Sequence, residues 1–416
     1  MNRALAAALL AVAAPAHAET LREAIATAYA TNPELAATRA RQEALAEAPE
    51  QARAAGRLTA DTGGNAGYDR FGGGSAAVGT VGATLPIWTG GRVAAAIRTA
   101  DRDVAAGAEG VRDAEAAILE RVVAAYADLL FQQQAVEVAR VGIERLDGQL
   151  AEARSRYDLG QATRTDVAQL EAQRASVIAN LADAEGALAT VTAGYRAIVG
   201  HAPQGALSAD TPPPPALPAT LDRARSAADT DNPLLLRQRR IAEAAAAQID
   251  RERAERAPVL GLAGGYGYGA RLAHGNPDGY EAAASGGLTL RIPLWTGGLV
   301  ASRVRQAEAT HRAERFATEA ALRETERGVD AAWGTLAAAR RRLAADREGL
   351  AAADLALQGV RAEYGFGLRT TLDILVADQS FRAAQLAVAR SRSDVLIAEA
   401  ALLRATGRMT EGTYAA

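Results

Sequence analysis

The chain has 416 residues, a formal net charge of −3 and no cysteine. The missing thiols exclude disulfides, thiolate metal sites, cysteine nucleophiles and a lipid-modified N-terminal cysteine, and the weakly acidic balance argues against a nucleic-acid partner. His17, His201, His274 and His311 are too scattered for a metal pair, and no G-x-S-x-G, P-loop or dinucleotide fingerprint occurs. Nothing points to an enzyme, a metal or a cofactor.

Residues 1–18 read as a secretory signal. Arg3 gives a positive start, Ala4 to Ala14 an apolar core, and Ala16-His17-Ala18 a small-residue cleavage site. The core is too short to span a bilayer as a helix. The mature chain is expected to start at Glu19, without a lipid anchor.

The next stretch, Thr20 to Asn32, is helical in type, and Asn32-Pro33 then starts a second helix toward Gly56. Asparagine caps a helix and proline fits its first turn; Pro49 is expected to kink it. From about 58 to 87 the chain is rich in glycine, threonine and valine, and reads as two strands around a Gly72-Gly73-Gly74 turn. This segment closes on Leu85-Pro86-Ile87-Trp88-Thr89-Gly90-Gly91. A proline-free helical segment follows over about 92–157, with an apolar stripe at Leu119, Val122, Val123, Tyr126, Leu129 and Leu130. After a break near Gly160 a return helix is expected over about 163–199, with Leu170, Val177, Leu181, Leu188, Val191, Tyr195 and Ile198 at coiled-coil spacings.

The chain then repeats itself. Ile292-Pro293-Leu294-Trp295-Thr296-Gly297-Gly298 lies 207 residues (295 − 88) after the first copy, and the same offset relates Tyr157 to Tyr364, Asp166 to Asp373 and Gly200 to Gly407. The first unit therefore covers 19–200 and the second 219–407, with strands over about 259–294 and helices over about 299–364 and 370–406, and a short tail over 408–416. Asn232-Pro233 restates the helix start. Between the units, 201–218 contains Pro212-Pro213-Pro214-Pro215, a stiff connector read as joining two halves of one structure. In the second strand pair Leu260, Leu262, Tyr266, Tyr268 and Leu272 share one parity, as do Leu288, Leu290, Ile292 and Leu294 beyond a loop over 273–280. Gly261, Ala263, Gly265, Gly267 and Gly269 share the other parity, as do Ser285, Gly287, Thr289 and Arg291. Bulky apolar residues on one face and small or polar ones on the other fit a membrane barrel wall, and equally a hairpin on a soluble core.

A duplicated helix-helix-strand-strand-long helix-helix unit, with Asn-Pro starts, Pro-aromatic-x-Gly-Gly junctions and Tyr-x-x-Gly…Thr-x-x-Asp turns, resembles the TolC family of outer-membrane export channels over essentially the whole mature chain. The resemblance implies a mainly α fold with a membrane β-barrel portion. Three protomers would close a twelve-stranded barrel and continue it as a long periplasmic α-barrel. It implies a homotrimeric exit duct for tripartite efflux or type I secretion, set in outer-membrane lipid. Its expected partners are a periplasmic adaptor (membrane fusion) protein and an inner-membrane transporter. The competing reading is a secreted trimeric coiled-coil stalk without a pore.

The resemblance also assigns roles. Tyr364 and Arg369 of the second helix turn match the residues that hold the channel tip shut against an aspartate of the first turn, here Asp166. Thr165 and Gln149 match further bonding positions. Asp373 matches a pore-facing constriction aspartate; where some members carry a second one, this chain has Val376. Trp88 and Trp295 are expected in the interfacial girdle. Leu159, Gly160, Phe366 and Gly367 are candidates for adaptor docking by position.

Overall fold

The computed structural model describes residues 18–69, 74–203, 205–209, 217–273 and 276–414, with backbone alone at 69, 74–75, 270–273 and 276–280. The expected signal segment up to residue 17, Gly72-Gly73, the four connector prolines, the last two tail residues and the Leu272 side chain lie outside what is described.

The first half gives α1 (Leu21–Thr31), α2 (Pro33–Ala46), α3 (Ala48–Ala54), β1 (Thr59–Asp69), β2 (Gly74–Trp88), α4 (Arg92–Asp158) and α5 (Arg164–Val199). The second gives α6 (Leu221–Asp231), α7 (Pro233–Ala254), β3 (Val259–Ala273), β4 (Asn276–Arg291), α8 (Leu299–Gly365) and α9 (Thr371–Ala405), then a 3-10 turn at Glu411–Tyr414. The duplication extends to backbone angles. Gly90 and Gly297, Gly91 and Gly298, Gly160 and Gly367, and Gly200 and Gly407 all have positive φ at the 207-residue offset. These are the turn and helix-stop positions where the left-handed region disfavours a Cβ.

Two local differences from the sequence reading have simple causes. The expected kink at Pro49 is a full break: α2 ends at Ala46 and Pro49 sits in the first turn of α3. A proline there lacks the N–H and crowds the carbonyl four residues back. Its counterpart α7 has no internal proline and runs unbroken for 22 residues. The expected loop over 273–280 is largely strand, since Arg271 pairs with Asp278, Leu272 with Pro277 and Ala273 with Asn276.

The chain forms two compact units, each drawing segments from both halves. One comprises Met1–Ala36, Ala114–Asn232 and Glu326–Ala416, the other Ala37–Asp113 and Pro233–Thr325. The halves are thus not separate domains.

The second of these units carries the sheet, an antiparallel meander in the order β1-β2-β3-β4. Its register bears out the parity reading. Leu262 stands between Leu85 of β2 and Leu288 of β4, and Tyr266 between Val81 and Ala284. Leu262, Tyr266, Tyr268, Leu288 and Leu290 are all exposed. On the other face Gly265 stands between Gly82 and Ser285, and Ala263 between Thr84 and Gly287, while Asp61 lies opposite Gly82. The outer edges of β1 and β4 are unpaired within the sheet. Where α4 begins, Arg92 donates to the carbonyls of Ala254 (3.2 Å), Glu255 (2.9 Å) and Ala257 (3.2 Å), tying the helix start to the turn before β3. Gly90 is required there: a Cβ would come within 2.3 Å of the Ala257 Cβ.

The other unit holds the main core. Ile25, Leu35, Ile118, Leu119, Val122, Tyr126, Leu129 and Tyr195 are buried together, each contributing about 1.5–3 kcal/mol by leaving water. The stripe read in the sequence forms the α4 side of this core. Burying tyrosines demands partners for their hydroxyls. Tyr126 bonds the Ser208 carbonyl at 2.8 Å, and Tyr195 donates to the Glu19 carboxylate at 2.6 Å. The Asn-Pro starts also hold the return helices. Asn32 Oδ1 accepts from the Glu34 and Leu35 amides while its Nδ2 donates to the Ile198 carbonyl at 3.0 Å, and Asn232 Nδ2 donates to the Ala405 carbonyl at 2.9 Å. Asn32 thus caps one helix and satisfies the open end of another, and Asn232 satisfies the open end of α9.

Candidate functional site: the paired helix turns

The two turns that join the long helices lie in the unit just described. Both turns are built alike. Thr163 is the N-cap of α5 and Thr370 of α9, each in extended backbone, and each forms a reciprocal capping box with the aspartate three residues on. Thr163 Oγ1 donates to Asp166 Oδ2 at 2.7 Å and accepts the Asp166 amide at 3.2 Å; Thr370 and Asp373 repeat this at 2.8 and 3.3 Å. The Thr-x-x-Asp pattern is therefore first a helix-starting device. The sequence carried that signal, but there the motif was read only for its latch and constriction roles.

Both carboxyls are held below the usual aspartate range. For Asp166 the cause is first the Thr163 hydroxyl, then the Thr163 amide, against a burial penalty, with help from the Thr371 hydroxyl. For Asp373 it is first the Thr370 amide, then its hydroxyl, with the Arg369 charge assisting. Both act as ionised acceptors.

The Thr371 contact brings the two turns together, as does Arg156 of the first, whose guanidinium lies 4.9 Å from the Tyr364 ring centre. Between them opens a cavity of about 460 Å³ whose walls include Gln149, Arg156, Tyr364, Thr371 and Ile374. Gln149 Oε1 is buried without a hydrogen-bond partner among the described residues. Thr165 is exposed in the first turn of α5. Arg369 does not reach Asp166 within one chain; its Nε donates to Glu363 Oε2 at 2.6 Å, both side chains being about half exposed. Around the turns Leu159, Phe366 and Leu368 are strongly exposed, beside the positive-φ Gly160 and Gly367.

Sequence reasoning missed three participants. Glu363 and Arg156 were passed over because no pattern flags a partner across a turn. Asp378, which no motif marks, is fully buried, with Arg382 Nε at 2.8 Å.

The tryptophans differ more than their repeat positions suggest. Trp88 ends β2, paired with Leu260 across an irregularity, and is half exposed. Trp295 lies beyond β4 and is 89% exposed.

Comparison with known proteins gives one answer. The model of the family "Outer membrane efflux protein" matches residues 24–201 and 224–408, once in each half. "Outer membrane efflux protein BepC" of Brucella suis biovar 1 is 34% identical over 334 residues, 80% of this chain and 73% of that one. "Alkaline protease secretion protein AprF" of Pseudomonas aeruginosa is 26% identical over 312 residues, 73% of this chain and 64% of that one. The crystal structure of CusC superposes with a TM-score of 0.77 at 17% identity, covering 93% of this chain and 92% of that one, and so shares the fold. The chain belongs to the outer membrane efflux protein family, the TolC-type export channels of the outer membrane.

Proposed function

We propose that this protein works as a homotrimer whose paired turns form a closable periplasmic tip, serving as the exit duct of a tripartite efflux or type I secretion assembly. The observation that carries the reading is the sheet. It has two unpaired edges and an exposed face of leucine and tyrosine, with glycine, serine and threonine opposite. Open edges in lipid leave backbone groups unsatisfied, whereas three such four-stranded sheets joined edge to edge leave none. The apolar face then meets lipid and the small, polar face lines the bore. Strands of 15 and 16 residues exceed the ~9–11 needed to cross a bilayer. Trp88 and Trp295 would sit at the membrane boundary, where an indole suits both phases.

At the tip, Arg369 of one protomer would exchange Glu363 for Asp166 of its neighbour, with Tyr364, Thr165 and Gln149 completing the contact. An arginine–carboxylate link is directional yet breakable when half exposed. Three copies of Asp373 would ring the passage and favour cations. The exposed Leu159 and Phe366 beside Gly160 and Gly367 would receive the hairpin of a periplasmic adaptor that recruits an inner-membrane transporter. The 34% identity to an efflux protein, against 26% to a protease-secretion protein, favours the efflux branch.

Fractionation and planar-bilayer recording test this reading. A heat-modifiable trimer in the outer membrane that conducts ions supports it. A soluble periplasmic pool, the outcome for a coiled-coil stalk, sinks it.

A further inference from the structure

One buried charge cluster lies outside the turns. Asp378, two turns into α9, has no solvent exposure and faces three arginines. Arg382 of its own helix donates from Nε to Oδ2 at 2.8 Å. Arg361 of α8 and Arg145 of α4 bring guanidinium nitrogens to 3.7 and 4.0 Å of Oδ1, too far for hydrogen bonds. Among the described residues Asp378 Oδ1 and Arg382 Nη2 are buried without hydrogen-bond partners. Arg145 also lies 5.5 Å from the Phe381 ring centre. One carboxylate therefore holds three cations from three helices. Without it the arginines face one another with no carboxylate between them.

The duplication supplies an internal control. At the 207-residue offset Arg361 corresponds to Arg154 and Asp378 to Glu171, and these also pair, at 2.6 Å. That pair is exposed, with side chains 58% and 49% accessible. The other two arginines have no counterparts, since Arg382 corresponds to Ala175 and Arg145 to Ala352. The glycine that makes room is present in both copies. A Cβ on Gly142 would come within 3.0 Å of the Arg382 side chain, while one on Gly349 would meet nothing within 4 Å. The full cluster is thus built only where α9 meets α4 inside one chain.

We propose that Asp378 clamps α9 to α4 and α8 within each protomer, whereas its counterpart Glu171 meets only Arg154 of α4 at the surface, so that the seams between protomers are the ones that part when the tip opens. Asp378 acts as a positioning residue: it never meets cargo, but sets which helices move together. The gating role rests on the reading of the turns as a closable tip.

The test uses the purified trimer of Asp378→Asn, with amide hydrogen exchange over 374–385 and single-channel recording as separate readouts. Exchange should speed up by about tenfold or more, since removing one partner of a buried pair is strongly unfavourable, and openings should break into sublevels, because α9 no longer moves with α4 and α8. Adding Arg361→Gln should restore much of both, because it removes one of the stranded charges, and Glu171→Gln should change neither. Unchanged exchange in Asp378→Asn, an equal response in Glu171→Gln, or no rescue by Arg361→Gln overturns the clamp. Faster exchange with openings still in single full steps overturns its gating role. If Asp378→Asn does not assemble, Arg361→Gln alone carries the test, with a smaller change in the same direction expected and no change refuting it. Arg369→Ala is recorded alongside; if it fails to open the channel while Asp378→Asn still loosens α9, the tip reading falls and the clamp stands.

Discussion

Arg369 hydrogen-bonds Glu363 within the chain and is proposed to reach Asp166 of a neighbour, and the competition between the two carboxylates can be measured. In the chain its Nε bonds Glu363 at 2.6 Å, with the side chains 47% and 46% accessible. Such an exposed pair contributes about 0.2–1 kcal/mol, and a link to Asp166 of a neighbour at similar exposure is worth about the same. Arg369→Ala removes the closing link three times per trimer. The closed state then loses about 0.6–3 kcal/mol, or about 3- to 150-fold in the closed-to-open ratio. Glu363→Gln acts in the opposite sense: it frees Arg369 for the neighbour and should lower conductance. Neither substitution should shift the thermal midpoint of the trimer appreciably, since both residues are about half exposed. Asp166→Ala is a poorer probe, because it also removes a capping box worth about 1 kcal/mol. The assay is single-channel recording of the three proteins side by side. Equal conductance in Arg369→Ala and Glu363→Gln, or a rise in both, would refute the exchange of partners and leave the Arg369–Glu363 contact as a local turn brace.

Four further outcomes are expected. Gly407→Ala should cost about 2–5 kcal/mol, combining a left-handed residue with overpacking, because a Cβ there would sit 2.2 Å from the Asp231 carbonyl oxygen; Gly200→Ala, whose Cβ would meet only the Thr31 hydroxyl at 3.3 Å, should cost about 1–2 kcal/mol, and equal losses in denaturant unfolding would contradict this. Ala284→Arg, opposite Tyr266 in mid-strand, should abolish trimer insertion while Ser285→Arg inserts with lowered conductance, since neighbouring strand residues face lipid and bore in turn and a lipid-facing arginine costs about 2–4 kcal/mol at mid-membrane; the reverse pattern would overturn the face assignment. Asp373→Asn should weaken cation preference in reversal-potential measurements, and an unchanged preference removes it from the constriction. Asp166 and Asp373 have carboxyls depressed by their threonine caps, so the stability they contribute is complete above the unfolded value of about 3.9 and is lost as pH falls through the lower folded values. A spin label on an introduced cysteine at exposed Gln161 should therefore stay immobile down to about pH 4 and loosen below it, whereas loosening between pH 7 and 5 would break the argument.

What could be read in the sequence was whatever a short window records. Helix and strand periods, the Asn-Pro starts, the glycine stops and the 207-residue offset are local patterns, and the order of the elements follows from them. The sheet faces were legible because strand parity is a strict alternation. The paired turns were located for the same reason, but the work of their residues was only half legible. Thr163 and Thr370 could have been read as caps from the motif alone. The commitment of Arg369 to Glu363 depends on the path of a turn. The burial of Asp378 depends on α9 meeting Arg145 of α4, 233 residues away in sequence (378 − 145). No window reports which of two equivalent helices a carboxylate will face. Asp378 and Glu171 look alike in sequence and differ entirely in burial.

That difference shows what the duplication has kept and what it has let go. The backbone devices stand in both copies: the positive-φ glycines, the threonine caps with their aspartates, and the asparagines that tie short helices to return helices. The charged side chains at the turns have diverged. Arg156 of the first turn corresponds to Glu363 of the second, and Arg369 to Ala162. The opposite charges follow different uses, since Arg156 lies over Tyr364 while Glu363 holds Arg369. With identical turns, three chains would make six equivalent seams around a tip. Every seam would then hold or part at the same free energy. In the proposed trimer, diverged charges on a shared backbone would create two kinds of seam, one braced inside the protomer and one closed only by half-exposed pairs. A duct that must stay shut yet open fully gains from that division, because the braced seams carry the stability and the weak ones set how easily the tip opens.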